Sequence, residues 1–276
     1  MTFIIDRNPQ IRMRQQALAQ AAPLPVRVIL RTVWDDLGEI WARLRGQSII
    51  AFALVVVIET IGALLGISAN PWLSETFNFA SMVATLPFEI AICRLLILDE
   101  ATPGYRFAIS SDRFRRVLGW NTGVWVLVTI PGYLAGAGAP FEAIAAVVNL
   151  ITVIVGIVVI VRLSLFVPAI AVDAPGASVG NAFADTRGHG WLIVKAFFAV
   201  ALPFIVVVIA AAVLASITGH SDDSGLTATV GSGVLFGIMG FFVVCAATIV
   251  PARLFMRLGD RLKGTATPTA TARPDY

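Results

Sequence analysis

The chain has 276 residues, 58% of them hydrophobic and only 13% charged, with a mean hydropathy of +0.86. A water-soluble domain of this size needs more charge to clothe its surface, whereas a core wrapped in lipid does not. The net charge of +3 is small and sits beside the apolar runs, so the basic isoelectric point of about 9.2 points to lipid headgroups and not to nucleic acid.

Residues 1–46 form a polar N-terminal segment that ends in an amphipathic stretch. Ile29, Leu30, Val33, Leu37, Ile40, Trp41 and Leu44 recur at helical spacing, with Arg27, Arg31, Asp35, Glu39 and Arg43 elsewhere on the wheel. This spacing predicts a helix over Val26–Arg45 lying in the inner interface plane.

Residues 47–257 then hold six apolar runs, about Ser48–Ile67, Phe77–Leu98, Gly119–Ala137, Ile144–Phe166, Trp191–Ile217 and Val230–Leu254. Each is close to the roughly 20 residues that cross a bilayer core. In lipid every backbone polar group must be satisfied within its segment, so these runs are expected to be helices despite their Val and Ile content. The expected fold is all-α, six transmembrane helices as three hairpins, with amphipathic cytoplasmic helices between them. Residues 258–276 read as a flexible cytoplasmic tail.

The basic residues orient this layout. With the N-terminus inside, all 20 Lys and Arg fall on the inner side or within a turn or two of it. The outer connections, around Asn70, Gly138 and Asp222, carry only acidic residues: Glu75, Glu142, Asp222 and Asp223. Basic loops are retained in the cytoplasm, so both termini are expected there.

The inner connections resemble one another. Ala101-Thr-Pro-Gly leads to Gly119-Trp120, and Asp173-Ala-Pro-Gly leads to Gly190-Trp191. The even spans end alike, at Cys93-Arg94-Leu95, Val161-Arg162-Leu163 and Ala252-Arg253-Leu254. The economical reading is three copies of one unit, an amphipathic helix followed by two spans.

Residues able to carry chemistry are few. Cys93 and Cys245 lie inside apolar runs and read as small buried residues. His189 and His220 are the only histidines, and His220-Ser-Asp-Asp reads as a polar turn, so neither a metal site nor a cofactor is expected. No nucleophile, histidine and acid can be assembled, which argues against an enzyme. Gly62-x-x-x-Gly66, Gly132-x-x-x-Gly136 and Gly233-x-x-x-Gly237 are small-residue stripes for close helix approach, within the monomer or toward a second copy or another membrane protein. Pro87, Pro131, Pro203 and Pro251 are expected to bend their helices.

The polar residues that stand out are Glu59 and Glu89. At 1.5 Å per residue they lie roughly 20 Å and 14 Å from the inner edge, and an intramembrane charge costs about 3 kcal/mol on insertion scales. Three readings stay open. The acids are neutral and hydrogen-bonded to Thr60, Thr85 or Asn149. Or they pair with Arg94, Arg162 or Arg253 as structural locks. Or they line a proton- or cation-linked path.

The stretch Val161-Arg-Leu-Ser-Leu-Phe-Val-Pro-Ala-Ile-Ala-Val-Asp173, continuing through Thr186-Arg-Gly-His-Gly-Trp191, resembles the YciC-like bacterial inner-membrane proteins. It is also similar to the membrane domain found beside glycerophosphodiester phosphodiesterases. Arg162, Pro168, Ala169, Asp173, Thr186, Gly190 and Trp191 occupy the signature positions, while Asp185 departs from the Ser-Trp step usual there. The resemblance implies a bacterial inner-membrane protein without phosphodiesterase chemistry, which belongs to a separate soluble domain. The expected function is a non-enzymatic structural or accessory protein of the envelope in contact with membrane lipids. The alternative is a small transporter or channel built around Glu59 and Glu89.

Overall fold

The computed structural model describes residues 26–66, 70–136, 142–217 and 226–264. The expectations for the His220 turn, the outer connections at Gly138 and Asp222, and the tail beyond residue 264 lie outside the described residues. So do the side chains of Pro131, Gly132, Gly136 and Asn149. Nine α-helices and no strand occur among the described residues. They are α1 (Val26–Arg43), α2 (Arg45–Leu64), α3 (Pro71–Leu98), α4 (Asp112–Gly136), α5 (Glu142–Leu163), α6 (Phe166–Ala171), α7 (Val179–Asp185), α8 (Gly190–Ile217) and α9 (Leu226–Leu258).

Four helices are long and apolar enough to cross a membrane, over Arg45–Leu64, Trp72–Leu98, Gly190–Val207 and Thr229–Leu258. The chain is therefore a helical membrane protein by length and composition. The other two expected spans fall in α4 and α5, where the apolar stretch of α5, Leu150–Leu163, is shorter.

Helix α1 buries Val33 and Ile40, and the junction residue Leu44 continues the stripe, as the spacing predicts; α1 packs against α8 and α9. It passes into α2 without a loop. Leu44 leaves the helical region at φ −111°, ψ 27°, yet the hydrogen bonds Leu44 N–H to Ile40 O and Ser48 N–H to Leu44 O, both 2.8 Å, run through the junction.

Helix α3 begins earlier than the expected Phe77. The Asn70 side chain accepts from the N–H groups of Trp72 (3.1 Å) and Leu73 (3.4 Å), with Pro71 at the first helical position. That pair is a helix start and not the loop it suggests when only hydropathy is followed. Asp99, left-handed at φ 59°, ends it.

Residues 99–111 contain no separate amphipathic helix. The basic stretch Asp112–Leu118 forms the first turns of α4 itself, capped by Ser111, whose hydroxyl accepts from Phe114 N–H (3.2 Å). The fourth connection is instead two short helices, α6 and α7. These connections therefore differ in their helices: the long α1 before α2, none over residues 99–111, and two short helices between α5 and α8.

The core sits toward the end of the molecule where these connections gather. Leu86, Phe88 and Ile92 of α3 and Phe241, Ile249 and Phe255 of α9 are buried there, while Ile151, Ile154 and Ile157 of α5 are exposed. Helix α9 is the hub and touches α1, α2, α3, α6 and α8. Its closest partner is α2. A Cβ at Gly237 would stand 2.6 Å from Val56 Cα, and one at Gly233 would stand 2.7 Å from Thr60 Cα. Only glycine lets the two backbones approach this closely. The Gly233–Gly237 stripe is thus used within the chain, between its first and last apolar helices.

Candidate functional site

The expected polar site brought together Glu59, Glu89, Arg94, Asn149, Arg162 and Arg253. The structure distributes the described members over separate contacts. Phe241 of α9 touches Phe52 of α2 (ring centroids 5.4 Å apart) and Phe88 of α3 (5.6 Å), which sets these three residues at one level. Glu59 lies seven residues past Phe52 toward the Leu64 end of α2, and Glu89 one residue past Phe88 toward the Leu98 end of α3, which lie at opposite ends of the bundle. At 1.5 Å per residue the two carboxyls are about 12 Å apart along the bundle, and they do not share a site.

Neither glutamate forms an ion pair among the described residues. Glu59 is half-buried on the α2 face next to Gly233, and the neighbouring Thr60 hydroxyl is buried without a partner. Glu89 meets the Thr85 hydroxyl at 2.9 Å, and that hydroxyl also reaches the Met82 carbonyl at 3.0 Å. A hydroxyl has one proton, so it is either shared between the two acceptors or given to the Met82 carbonyl while a protonated carboxyl donates to the hydroxyl.

The three arginines take other partners, which removes them as locks for the glutamates. Arg253 donates through Nε to Asp36 Oδ2 at 2.7 Å and through a second nitrogen to Asp36 Oδ1. This fork joins α9 to α1, and Asp36 is only 2% exposed. Arg94 pairs with Glu100, reaches the Ala171 carbonyl at 3.4 Å and lies 3.9 Å from Asp173. Arg162 donates to the Thr186 carbonyl at 3.0 Å, and the Thr186 hydroxyl returns a bond to the Arg162 carbonyl at 3.0 Å.

These contacts belong to a polar layer that closes one end of the bundle. Arg43 pairs with Asp99, and Gln47 donates to the Thr102 carbonyl. Arg113 pairs with Asp173, left-handed at φ 51°. The Arg113 guanidinium holds the Asp173 carboxyl below its ordinary range, with Arg94 and Arg116 adding to the effect. The Asp185 carboxylate accepts from the N–H groups of Arg261 (3.1 Å) and Leu262 (3.0 Å), docking the segment after α9. Tyr105 donates to the Ala84 carbonyl, and burial pushes its phenol upward.

Of the signature positions, Arg162 and Asp173 belong to this layer and Pro168 is buried beside them. Gly190 packs against Val161, and Trp191 is exposed under the Lys195 ammonium, 5.4 Å from its ring centroid. Sequence reasoning missed Asp36, Tyr105 and Asp185. Asp36 carried a usable signal, a carboxylate one position from the apolar stripe Val33–Leu37–Ile40–Leu44. No known protein family, characterised protein or solved structure matches the chain.

Proposed function

We propose that this chain is a six-span protein of the bacterial inner membrane, with both termini cytoplasmic, acting as a non-enzymatic accessory or structural component of the envelope. The observation that carries this reading is the commitment of the polar residues. Arg94, Arg162 and Arg253 close one end of the bundle, and Glu59 and Glu89 stand about 12 Å apart along it. A transport path needs such groups to converge on a cavity that opens to each side.

The topology rests on the same layer. α1, the 99–111 and 172–189 connections and the segment after α9 are tied together at one end, and the described Lys and Arg residues lie in them or in the adjoining turns of the longer helices. Helix α4 leaves that end at Arg113, and α5 returns to it at Arg162. Tyr105 brings irregular backbone and the exposed Arg106 alongside α3 at the level of Ala84. The resemblance to YciC-like proteins agrees with this reading.

Purified protein in liposomes loaded with a pH-sensitive dye tests the function. Proton and potassium permeability equal to that of protein-free liposomes is expected. A flux that Glu59→Gln abolishes would establish the transporter instead, with Glu59 and the unpartnered Thr60 hydroxyl as its centre.

A further inference from the structure

Where α1 passes into α2 at Leu44, a cavity of about 470 Å³ opens between these helices and α9. This is within the range of roughly 300–1,000 Å³ typical of small-molecule sites. Its walls are apolar and include Trp34 and Trp41 of α1, Phe52 of α2, and Phe241 and Cys245 of α9. Ser48 is the polar exception. It lines the cavity, is 1% exposed, and its hydroxyl has no hydrogen-bond partner. A buried hydroxyl left without a partner destabilises the fold. Water is a poor remedy, because a buried water needs about 2–4 polar partners and this wall supplies one.

The surroundings give the missing acceptor a sign. Arg45 lies one turn before Ser48, is exposed, and among the described residues is in no ion pair. The nearby acids are engaged, Asp36 by Arg253 and Glu39 by Arg43, except for Asp35 on the exposed face of α1. Trp34 and Trp41 are 55% and 50% exposed, as tryptophans are where a protein meets the headgroup layer.

We propose that this cavity holds one acyl chain of an anionic phospholipid from the surrounding bilayer. The Ser48 hydroxyl donates to the ester carbonyl and Arg45 meets the phosphate. The chain fills the apolar slot between α1 and α9, so the lipid acts as a wedge under the amphipathic helix. The inference rests on α1 lying at the inner face, as proposed above.

Native mass spectrometry of the full-length protein in neutral detergent, with added dioleoylphosphatidylglycerol or dioleoylphosphatidylcholine, reads this directly. One phosphatidylglycerol per chain is expected, retained about tenfold better than phosphatidylcholine. Gly38 lines the cavity and a Cβ there meets nothing within 4 Å, so Gly38→Phe can fill the space without moving the backbone. This variant should lose the lipid while keeping the melting temperature of the unliganded protein. Gly38→Leu serves if the larger plug does not fold. Arg45→Gln should keep a lipid but lose the preference for phosphatidylglycerol. Equal retention of the two lipids by the unaltered protein overturns the proposal, as does undiminished retention by a folded Gly38 variant. A lipid-free dimer whose interface is lost in the Gly38 variants overturns it too, in favour of a second copy. Cysteine accessibility at Arg187→Cys, measured in cells, tests the orientation separately from lipid binding.

Discussion

Asp36 lies one position off the apolar stripe of α1 and is buried because Arg253 receives it with two donors. Removing one partner of a buried ion pair leaves the other uncompensated. Asp36→Asn is therefore expected to lower stability by about 3 kcal/mol, the low end of the usual range, since Arg253 remains one-third exposed (33%). Thermal unfolding in detergent measures this, and Asp36→Leu combined with Arg253→Met should recover most of the loss. Glu89 is the contrasting case. A glutamine there can donate its amide proton to Thr85 while Thr85 keeps the Met82 carbonyl, so Glu89→Gln should change stability by about 1 kcal/mol or less. A loss comparable to that of Asp36→Asn would mean that Glu89 carries a charge some partner needs. The Thr85–Glu89 contact was legible in the sequence as neighbours four apart on one helix. The Asp36–Arg253 pair was not, since its members are separated by nearly the whole membrane domain and only tertiary packing joins them.

Helices α2 and α9 meet through Gly233 and Gly237, where a methyl group has no room. Gly237→Ala is expected to cost about 1–3 kcal/mol through overpacking, although alanine favours a helix more than glycine. Gly231→Ala, where nothing lies within 4 Å, should gain about 0.5–1 kcal/mol and serves as the control in the same thermal measurement. The stripe itself was visible in the sequence because its spacing is local. Its partner was not, because any smooth helix face would satisfy it. The connection between α3 and α4 shows a similar limit. Its basic stretch looks like an independent amphipathic helix until Ser111 and the continuing helix show it to be the start of α4. Connections also carry the acid sensitivity. The Asp173 carboxyl, held low by Arg113, is more acidic in the folded chain than its ordinary value of 3.8. Its contribution is present above that value and is lost as pH falls through the lower native one. Asp173→Asn should therefore lower the neutral plateau of a stability–pH curve slightly and flatten its acid limb, while leaving stability below the native value unchanged.

At the scale of the molecule, the apolar runs and the one-sided basic residues were legible because a bilayer imposes length and charge placement directly on sequence. The surroundings of the polar residues were not: nothing in the sequence shows that Tyr105, from the connection after α3, folds back to the Ala84 carbonyl of that helix. The orientation is checked by cysteine accessibility in intact cells. Asn70→Cys should react with an impermeant maleimide, and Arg187→Cys should react only after permeabilisation, with Cys93 and Cys245 silent because they are buried. The opposite pattern would invert the proposed topology.

The pairing of α2 with α9 also has a consequence for biogenesis. Val56 and Gly237 touch across about 180 residues of chain. At a synthesis rate of roughly 5–20 residues per second, the first apolar helix waits about 10–40 s for its partner to emerge. During that interval the flat face of α2 that will receive the glycines, with Thr60 on it and Glu59 beside it, must be sheltered by the insertion machinery or by lipid. A nascent chain halted before α9 has therefore not yet made the contact that closes its helices into one bundle.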